Sequence, residues 1–230
     1  MASLLKKNNS TFLVNILTPF LFGAINFLSF APFDLKFLAI ISYGYVAYLF
    51  KQELTNRSLF RRLFIWGFAF WIFGTGWIIV SIYYYGNLNI YLSFIAIVLL
   101  SIFLAIVFIT PLALFNNLIK ASPSSLKALV FASCFLVTEF LRYFLFGGFP
   151  WLSPGLIVID TFYQIGIPFI GVFGMSFFIY YFAYFFINEA LPGTSIKLIL
   201  FLVLVSLSYI EIPCIIDLEC IEELFTLKSP

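Results

Sequence analysis

Residues 90–115 read IYLSFIAIVLLSIFLAIVFITPLALF and contain no charged side chain. A helix that crosses the hydrocarbon core of a bilayer needs about 20 mostly apolar residues, and this stretch is longer than that. Its apolar and polar side chains do not alternate, as they would along the strands of a membrane β-barrel. Because a backbone in lipid must satisfy its own N–H and C=O groups, the stretch is predicted to be a transmembrane helix.

Further apolar stretches of the same kind lie on both sides of this one. They are residues 11–30, 35–50, 63–83, 126–146, 169–187 and 196–210, of which 35–50 and 196–210 are short for a full crossing. The sequence therefore predicts an all-α integral membrane protein, with a polytopic bundle of about seven transmembrane helices in residues 1–210.

The composition excludes a soluble domain. Of 230 residues, 63% are hydrophobic and only 10% are charged, and the mean hydropathy is +1.12, whereas a soluble domain has about 25% charged residues. The formal charge of +2 comes from basic residues scattered over several loops. Nucleic-acid binding needs a basic patch on one face, so no nucleic-acid partner is expected.

The positions of Lys and Arg predict the orientation. If the N-terminus is cytoplasmic, the inner segments hold Lys6, Lys7, Lys51, Arg57, Arg61, Arg62, Lys120, Lys127 and Lys197, and the outer segments hold Lys36, Arg142 and Lys228. Cytoplasmic loops of membrane proteins carry an excess of Lys and Arg. The N-terminus is therefore predicted inside and the C-terminus outside, where residues 211–230 form a short acidic tail in the periplasm.

Histidine and cysteine contents exclude several kinds of site. The chain has no histidine, so it has no Ser-His-Asp triad and no His-based metal site. It also has no Walker loop and no dinucleotide fingerprint, and neither a metal nor a cofactor is predicted. Cys134 lies in an apolar stretch and is predicted to be buried, while Cys214 and Cys220 could pair in an oxidising periplasm or remain free.

Glu139 and Arg142 are the ionisable pair inside a predicted membrane helix. Their spacing of three places them on one face, close enough to pair. One interpretation is an ion pair that fixes helix packing. The other is a role at a lipid headgroup or substrate cavity, because ionisable residues within membrane helices are functional by default.

Other motifs have structural interpretations. Asp34, in the segment APFD after the first stretch, is predicted to be a turn residue and the N-cap of the next helix. Gly74 and Gly76 are predicted to let neighbouring segments approach closely, and Trp77 suits an aromatic belt at the outer interface. Residues 147–168 are rich in proline and predict a loop or re-entrant arm, which is a site candidate because such backbone must be covered at membrane depth.

These motifs together resemble the apolipoprotein N-acyltransferase family. The resemblance rests on APFD at residues 31–34, GF and GTGW at 67–68 and 74–77, TEFLR at 138–142 and GFPWL at 148–152, followed by GVFG at 171–174. Each motif is short, but their order and spacing match as well. The resemblance covers the chain from about the first predicted helix to the sixth.

The resemblance implies an enzyme of the bacterial cytoplasmic (inner) membrane that moves an acyl chain from a phospholipid to the N-terminal amine of a diacylated apolipoprotein. It also implies that Glu139, Arg142, Phe149, Pro150, Trp151 and Trp77 surround a cavity for acyl chains. In this family the reacting Glu-Lys-Cys set belongs to a nitrilase-like domain on the periplasmic side. A Cys thiolate of that domain is acylated and then attacked by the amine.

The tail departs from that family pattern. About twenty residues follow residue 210, and a domain needs at least 50, so residues 211–230 are expected to mark where the catalytic domain would begin. We therefore expect no catalytic residue in this chain and no acyl transfer by it alone. The alternatives are a truncated or split enzyme with a separate nitrilase-like chain, and a non-enzymatic lipid-binding or assembly protein on the same scaffold. The lack of paired repeats argues against a small-molecule transporter.

Overall fold

The computed structural model describes residues 13–52, 54–145, 148–188 and 202–206, and all regular elements in these ranges are helical. The α-helices are α1 (Thr18–Phe27), α2 (Phe37–Lys51), α3 (Asn56–Thr75), α4 (Ile78–Tyr84), α5 (Ile90–Leu114), α6 (Asn116–Ala121), α7 (Lys127–Phe144) and α8 (Ile167–Asn188). A π-helical turn, Leu13–Leu17, leads into α1, and 3₁₀ turns occupy Ser124–Leu126, Pro154–Val158 and Phe162–Gly166.

The lengths of these helices confirm an all-α membrane protein. Among the described residues, three segments are long and apolar enough to cross a bilayer: Ile90–Ala121, Ser124–Phe144 and Phe162–Ile187. α3 and α4 make a fourth candidate if they form one span, although they meet at an angle of 52°, while α1 and α2 are shorter apolar helices. The count of about seven spans and the orientation remain predictions, and most of the stretch 196–210 lies outside the described residues.

Six of the helices pack in a ring. α1 contacts α3, α3 contacts α5, α5 contacts α7, α7 contacts α8, α8 contacts α2, and α2 closes the ring on α1. Gly23 permits one of the closest approaches, because a β-carbon at this position would collide with the backbone carbonyl of Trp66 in α3. Small residues allow helices in lipid to gain contact between their backbones in this way.

Aromatic side chains fill the middle of the ring. Tyr43 of α2, Trp66 of α3, Phe108 of α5, Phe135 of α7 and Tyr180 of α8 are all fully or almost fully buried. Their ring centroids lie 4.4–6.4 Å apart in successive edge-to-face or stacked pairs. Such pairs add about 0.5–1.5 kcal/mol each beyond the area that they bury, so each of these helices is tied to a shared core.

The two ends of the bundle differ in how many basic side chains they carry among the described residues. Lys51, Arg57, Arg61, Lys120 and Lys127 lie where α2 and α6 end and where α3 and α7 begin. We call this the basic end. The opposite end holds the loop before α2, the α3–α4 bend and the irregular segment between α7 and α8.

Candidate functional site

Arg142, in the last turn of α7, binds the segment that follows this helix. Its side chain is only 3% exposed. The guanidinium donates hydrogen bonds to the backbone carbonyls of Phe149 and Trp151 and to Ser153 Oγ, the last at 2.8 Å. Because a guanidinium presents several donors in a rigid plane, one side chain can hold two backbone carbonyls and one serine hydroxyl of an irregular segment.

Glu139 lies one turn earlier on the same face and is fully buried. Its carboxylate accepts hydrogen bonds from Tyr180 Oη and from Ser176 Oγ, at 3.1 Å for the serine, so α7 is joined to α8. Ser176 Oγ in turn accepts a hydrogen bond of 2.8 Å from the backbone N–H of Gly155. A buried carboxylate therefore organises both helices and the segment between them.

The two charges bind separate partners. Within the described part of the chain, Glu139 and Arg142 are not joined by a direct ion pair, although their charges still interact at longer range. Ser153 bonds the guanidinium and also interacts with the carboxylate. The prediction that they share one face is confirmed, whereas the direct ion pair is not formed because each group is occupied by a nearer partner.

The irregular segment between α7 and α8, residues 148–166, is named the arm. Its backbone takes positive φ at Gly148, Leu152 and Asp160. Leu152 packs on Gly74 of α3, where a β-carbon would overlap the leucine side chain. The Phe149 ring lies 5.9 Å from that of Trp71 in α3. Among the described residues the arm contains two short 3₁₀ turns and no α-helix, and a re-entrant position in the membrane remains a prediction.

Two exposed tryptophans lie side by side on the surface of the arm that faces away from the core. Trp151 is 52% exposed and Trp77, at the α3–α4 bend, is 53% exposed. Their ring centroids lie 6.2 Å apart, and Pro150 beside them is also exposed. Gly76 lies at the bend itself. The structure thus brings the predicted residues Trp77, Pro150 and Trp151 to one surface and places Glu139 and Arg142 behind it.

The guanidinium of Arg142 also lies over the ring of Trp71, a buried residue of the core. Its central carbon lies 5.3 Å from the centre of the Trp71 ring, a geometry in which a cation is attracted to the electron-rich face of an indole. Among the described residues, Arg142 Nε and Trp71 Nε1 are buried atoms without a hydrogen-bond partner. This contact with the ring offsets part of the cost of burying the charge.

The other predicted residues lie away from this cluster. Asp34 adopts φ +52° in the turn before α2, as a turn residue does. The prediction that it caps α2 is wrong, because Lys36 occupies the N-cap position and has no capping side-chain bond. Cys134 is buried, as predicted. Cys214, Cys220 and the acidic tail lie outside the described residues.

The described part of the chain holds two cavities whose described linings include neither Glu139 nor Arg142. A small apolar cavity of about 100 Å³ lies between α2, the arm and α8, with Lys36 at its edge. Lys36 Nζ donates a 2.6 Å hydrogen bond to the carbonyl of Ile159 in the arm. A larger cavity of about 540 Å³ opens at the basic end.

Sequence reasoning missed the polar residues that complete the cluster. Ser153, Ser176 and Tyr180 contact the two charges directly, and Tyr43 lies against Tyr180. Ser176 and Tyr180 are four residues apart in an apolar helix, which places them on one face. Because a buried charge needs polar partners, two polar residues on one face of an apolar helix could have been predicted to contact Glu139.

Comparisons with known proteins agree on one family. A family model described as the apolipoprotein N-acyltransferase N-terminal domain matches residues 22–185. The chain is 33% identical over 175 residues to the apolipoprotein N-acyltransferase of Pasteurella multocida, covering 76% of this chain and 32% of that protein. It is 33% identical over 169 residues to that of Haemophilus influenzae, covering 73% and 30%, and 33% over 157 residues to that of Coxiella burnetii, covering 67% and 32%. The matched part of the chain thus spans about a third of the length of these curated relatives.

Proposed function

This chain belongs to the apolipoprotein N-acyltransferase family, and from that membership we propose that it is the membrane domain of an inner-membrane enzyme of lipoprotein maturation. The reaction proposed for the complete enzyme transfers an acyl chain from a phospholipid to the free α-amino group of a lipoprotein's N-terminal diacylglyceryl-cysteine. In the first step a Cys thiolate of the catalytic domain attacks the phospholipid ester, and the ester C–O bond breaks to release the lysophospholipid, which takes up a proton. The amine then attacks the thioester carbonyl, so that the amide C–N bond forms, the C–S bond breaks, and the thiol takes up the proton lost by the nitrogen. The partners of the chain are then a membrane phospholipid and a diacylated apolipoprotein.

The proposal assigns the chemistry to a nitrilase-like domain, in the same polypeptide or in a second chain. The relatives are about three times as long as the segment that this chain matches, which leaves room in them for such a domain. The membrane domain alone is proposed not to catalyse transfer. Its task is to hold acyl chains where the reacting groups can reach them, since positioning removes much of the entropic cost of a bimolecular step.

The observation that carries this assignment is the anchoring of the arm by Arg142. A membrane protein can keep irregular backbone at membrane depth only where other protein groups satisfy it. Arg142 satisfies two arm carbonyls and Ser153, and Glu139 secures α8 behind them. The arm is therefore held in place although its only regular elements among the described residues are two short 3₁₀ turns.

The surface that the arm presents suits an acyl chain near a lipid headgroup. The exposed indoles of Trp77 and Trp151 and the exposed ring of Pro150 form one face, which is apolar except for the indole N–H groups. Tryptophan is enriched at membrane interfaces because its ring is apolar and its N–H is polar. In the proposal the acyl chain lies on this face, while Glu139 and Arg142 act as positioning residues rather than touching it.

The proposed topology has about seven spans, with the N-terminus inside and the C-terminus outside. In support, the described basic side chains concentrate at the basic end, and Lys36 and Arg142 alone among them lie toward the other end. This orientation places the arm on the periplasmic side. Alkaline phosphatase fused after Pro230 is expected to be active, and a fusion active only with a cytoplasmic reporter would overturn the topology.

Complementation tests the function. A strain depleted of its own acyltransferase would express this chain together with the nitrilase-like part of the Pasteurella multocida enzyme. Mass spectrometry of a lipoprotein N-terminus is expected to show one added acyl group only when both parts are present. Complete absence of the triacylated form, with both parts detected in the membrane, would contradict the proposal and favour a non-enzymatic lipid-binding or assembly protein.

Variants in the same system test the face. Trp151→Ala is expected to lower the rate of acylation at least tenfold, because it removes the indole that the arm contributes to the exposed pair. Tyr85→Ala is the matched control, since Tyr85 is an exposed aromatic residue at the same end of the bundle. Equal rates in the two variants would exclude a role for the Trp151 face.

A further inference from the structure

The larger cavity lies at the basic end, away from the arm. Its volume is about 540 Å³, and it is formed where α2 ends and where α6 and α7 meet. Three lysines line it: Lys51, Lys120 and Lys127. Among the described lining residues there is no carboxylate, while Glu53 and Glu189 fall outside the described residues.

The charge of this cavity is poorly neutralised by the described chain. Lys120 Nζ makes a long hydrogen bond of 3.4 Å to the carbonyl of Leu54. The described acidic residues of the chain are Asp34, Glu139 and Asp160, which belong to the turn before α2, the polar cluster and the arm. Three ammonium groups around one concave space favour an anion.

The inner wall of the same cavity is apolar. Phe50, Ile119 and Tyr184 line it and are almost fully buried. Lys51 and Lys120 are exposed and Lys127 is partly exposed, so the lysines lie nearer the mouth than these three side chains. A free inorganic anion would gain nothing from contact with such a wall. A phospholipid has a phosphate for the lysines and a glycerol and acyl region for the apolar wall, and basic pockets between membrane helices bind anionic headgroups in this way.

This cavity is separate from the surface proposed for the acyl chain. Lys127 begins α7 and Arg142 lies in its last turn. Fifteen residues at 1.5 Å each place the two about 22 Å apart along the helix axis. A lipid at the basic end therefore cannot occupy the arm at the same time.

We propose that the cavity of Lys51, Lys120 and Lys127 binds the phosphate group of an anionic phospholipid as a second lipid site, distinct from the arm. The shared chemistry is a phosphate anion, and the apolar wall selects the lipid over free phosphate. The bound lipid would link the end of α2 to α6 and α7 and stabilise that end of the ring.

Binding to the purified chain in detergent tests the site. Phosphatidylglycerol, phosphatidylcholine and inorganic phosphate are titrated separately, and native mass spectrometry measures the bound fraction. Phosphatidylglycerol is expected to bind tightest. The double variant K120Q/K127Q is expected to weaken phosphatidylglycerol binding roughly 30-fold, since each lysine near an anionic headgroup contributes about a factor of five.

A charge-matched control separates the cavity from general surface charge. Arg57 and Arg61 are exposed at the same end but do not line the cavity, and R57Q/R61Q is expected to change the affinity less than threefold. The conservative variant K120R/K127R is expected to retain binding and shows that the lysine positions tolerate substitution. Equal losses in K120Q/K127Q and R57Q/R61Q would overturn the site.

The titration with inorganic phosphate shows whether the site binds a lipid headgroup or a free anion. Inorganic phosphate that binds as tightly as phosphatidylglycerol would overturn the lipid assignment, because the apolar wall would then contribute nothing. Phosphatidylglycerol that binds K120Q/K127Q as well as it binds the unaltered chain would overturn the site altogether. Neither result bears on acylation at the arm, which the complementation assay measures independently.

Discussion

Replacing Arg142 by methionine removes the charge that holds the arm while keeping a side chain of similar reach. Arg142 donates to the carbonyls of Phe149 and Trp151 and to Ser153 Oγ. In R142M these acceptors lose their donor, and buried Glu139 loses the nearest cation. The packing of the aromatic core should change less, because methionine can still pack against the Trp71 ring.

The size of the effect follows from these contacts. A hydrogen bond to a charged group contributes about 1.5–3 kcal/mol, and removing one member of a buried charged cluster costs about 3–5 kcal/mol. If R142M lowers the free energy of local opening of the arm by about 3 kcal/mol, the equilibrium constant for opening should rise roughly a hundredfold, since about 1.4 kcal/mol corresponds to a factor of ten.

Hydrogen exchange of individual backbone amides measures that equilibrium. The Phe149 N–H is bonded to the Arg142 carbonyl at 3.1 Å and the Gly155 N–H to Ser176 Oγ at 2.8 Å, so both report on the arm. Their exchange should accelerate roughly a hundredfold in R142M, while amides in the middle of α5 stay slow. R61M, which removes an exposed arginine from the basic end, is the control. Exchange at Phe149 and Gly155 within threefold of the unaltered rate would refute the anchoring role.

Two further predictions concern stability of the bundle, measured by thermal unfolding in detergent. Tyr180→Phe removes the hydroxyl that donates to Glu139 and should lower the free energy of unfolding by about 1.5–3 kcal/mol. Tyr181→Phe, at a half-buried neighbouring position, should have little effect, and similar losses in both would argue against the hydrogen bond. Gly23→Ala should destabilise the contact of α1 with the α3 backbone by more than 1 kcal/mol, because only backbone movement can make room. Gly166→Ala, which meets only the flexible end of a methionine, is the matched control, and equal effects would refute the close-approach argument.

The helices could be predicted because hydrophobic length is a local property. The stretch 90–115 became α5 (Ile90–Leu114), and 126–146 became α7 (Lys127–Phe144). The stretch 63–83 was predicted as one helix, but it is divided between α3 and α4 at a bend of 52°. Apolar content does not reveal such a bend, since both halves are apolar.

The candidate site was predicted only in part. Glu139 and Arg142 stood out because charges are rare in apolar helices, and the arm stood out by its prolines. Their partners did not stand out, because serine and tyrosine are ordinary residues in a membrane helix. A direct ion pair was one of two interpretations, and the structure instead has bonds from these charges to Ser176, Tyr180 and the arm, which lie up to 41 residues away in the chain.

The amino-acid sequence by itself determined that this chain is a helical membrane protein and which family it resembles. Those properties follow from runs of apolar residues and from short motifs, and neither requires knowledge of distant contacts. Only the tertiary structure decided that Arg142 anchors the arm, that Trp77 and Trp151 share one surface, and that three lysines surround a cavity. Hydrogen bonds and cavities depend on distances of a few ångströms between remote segments, and the closing of the ring of helices sets those distances.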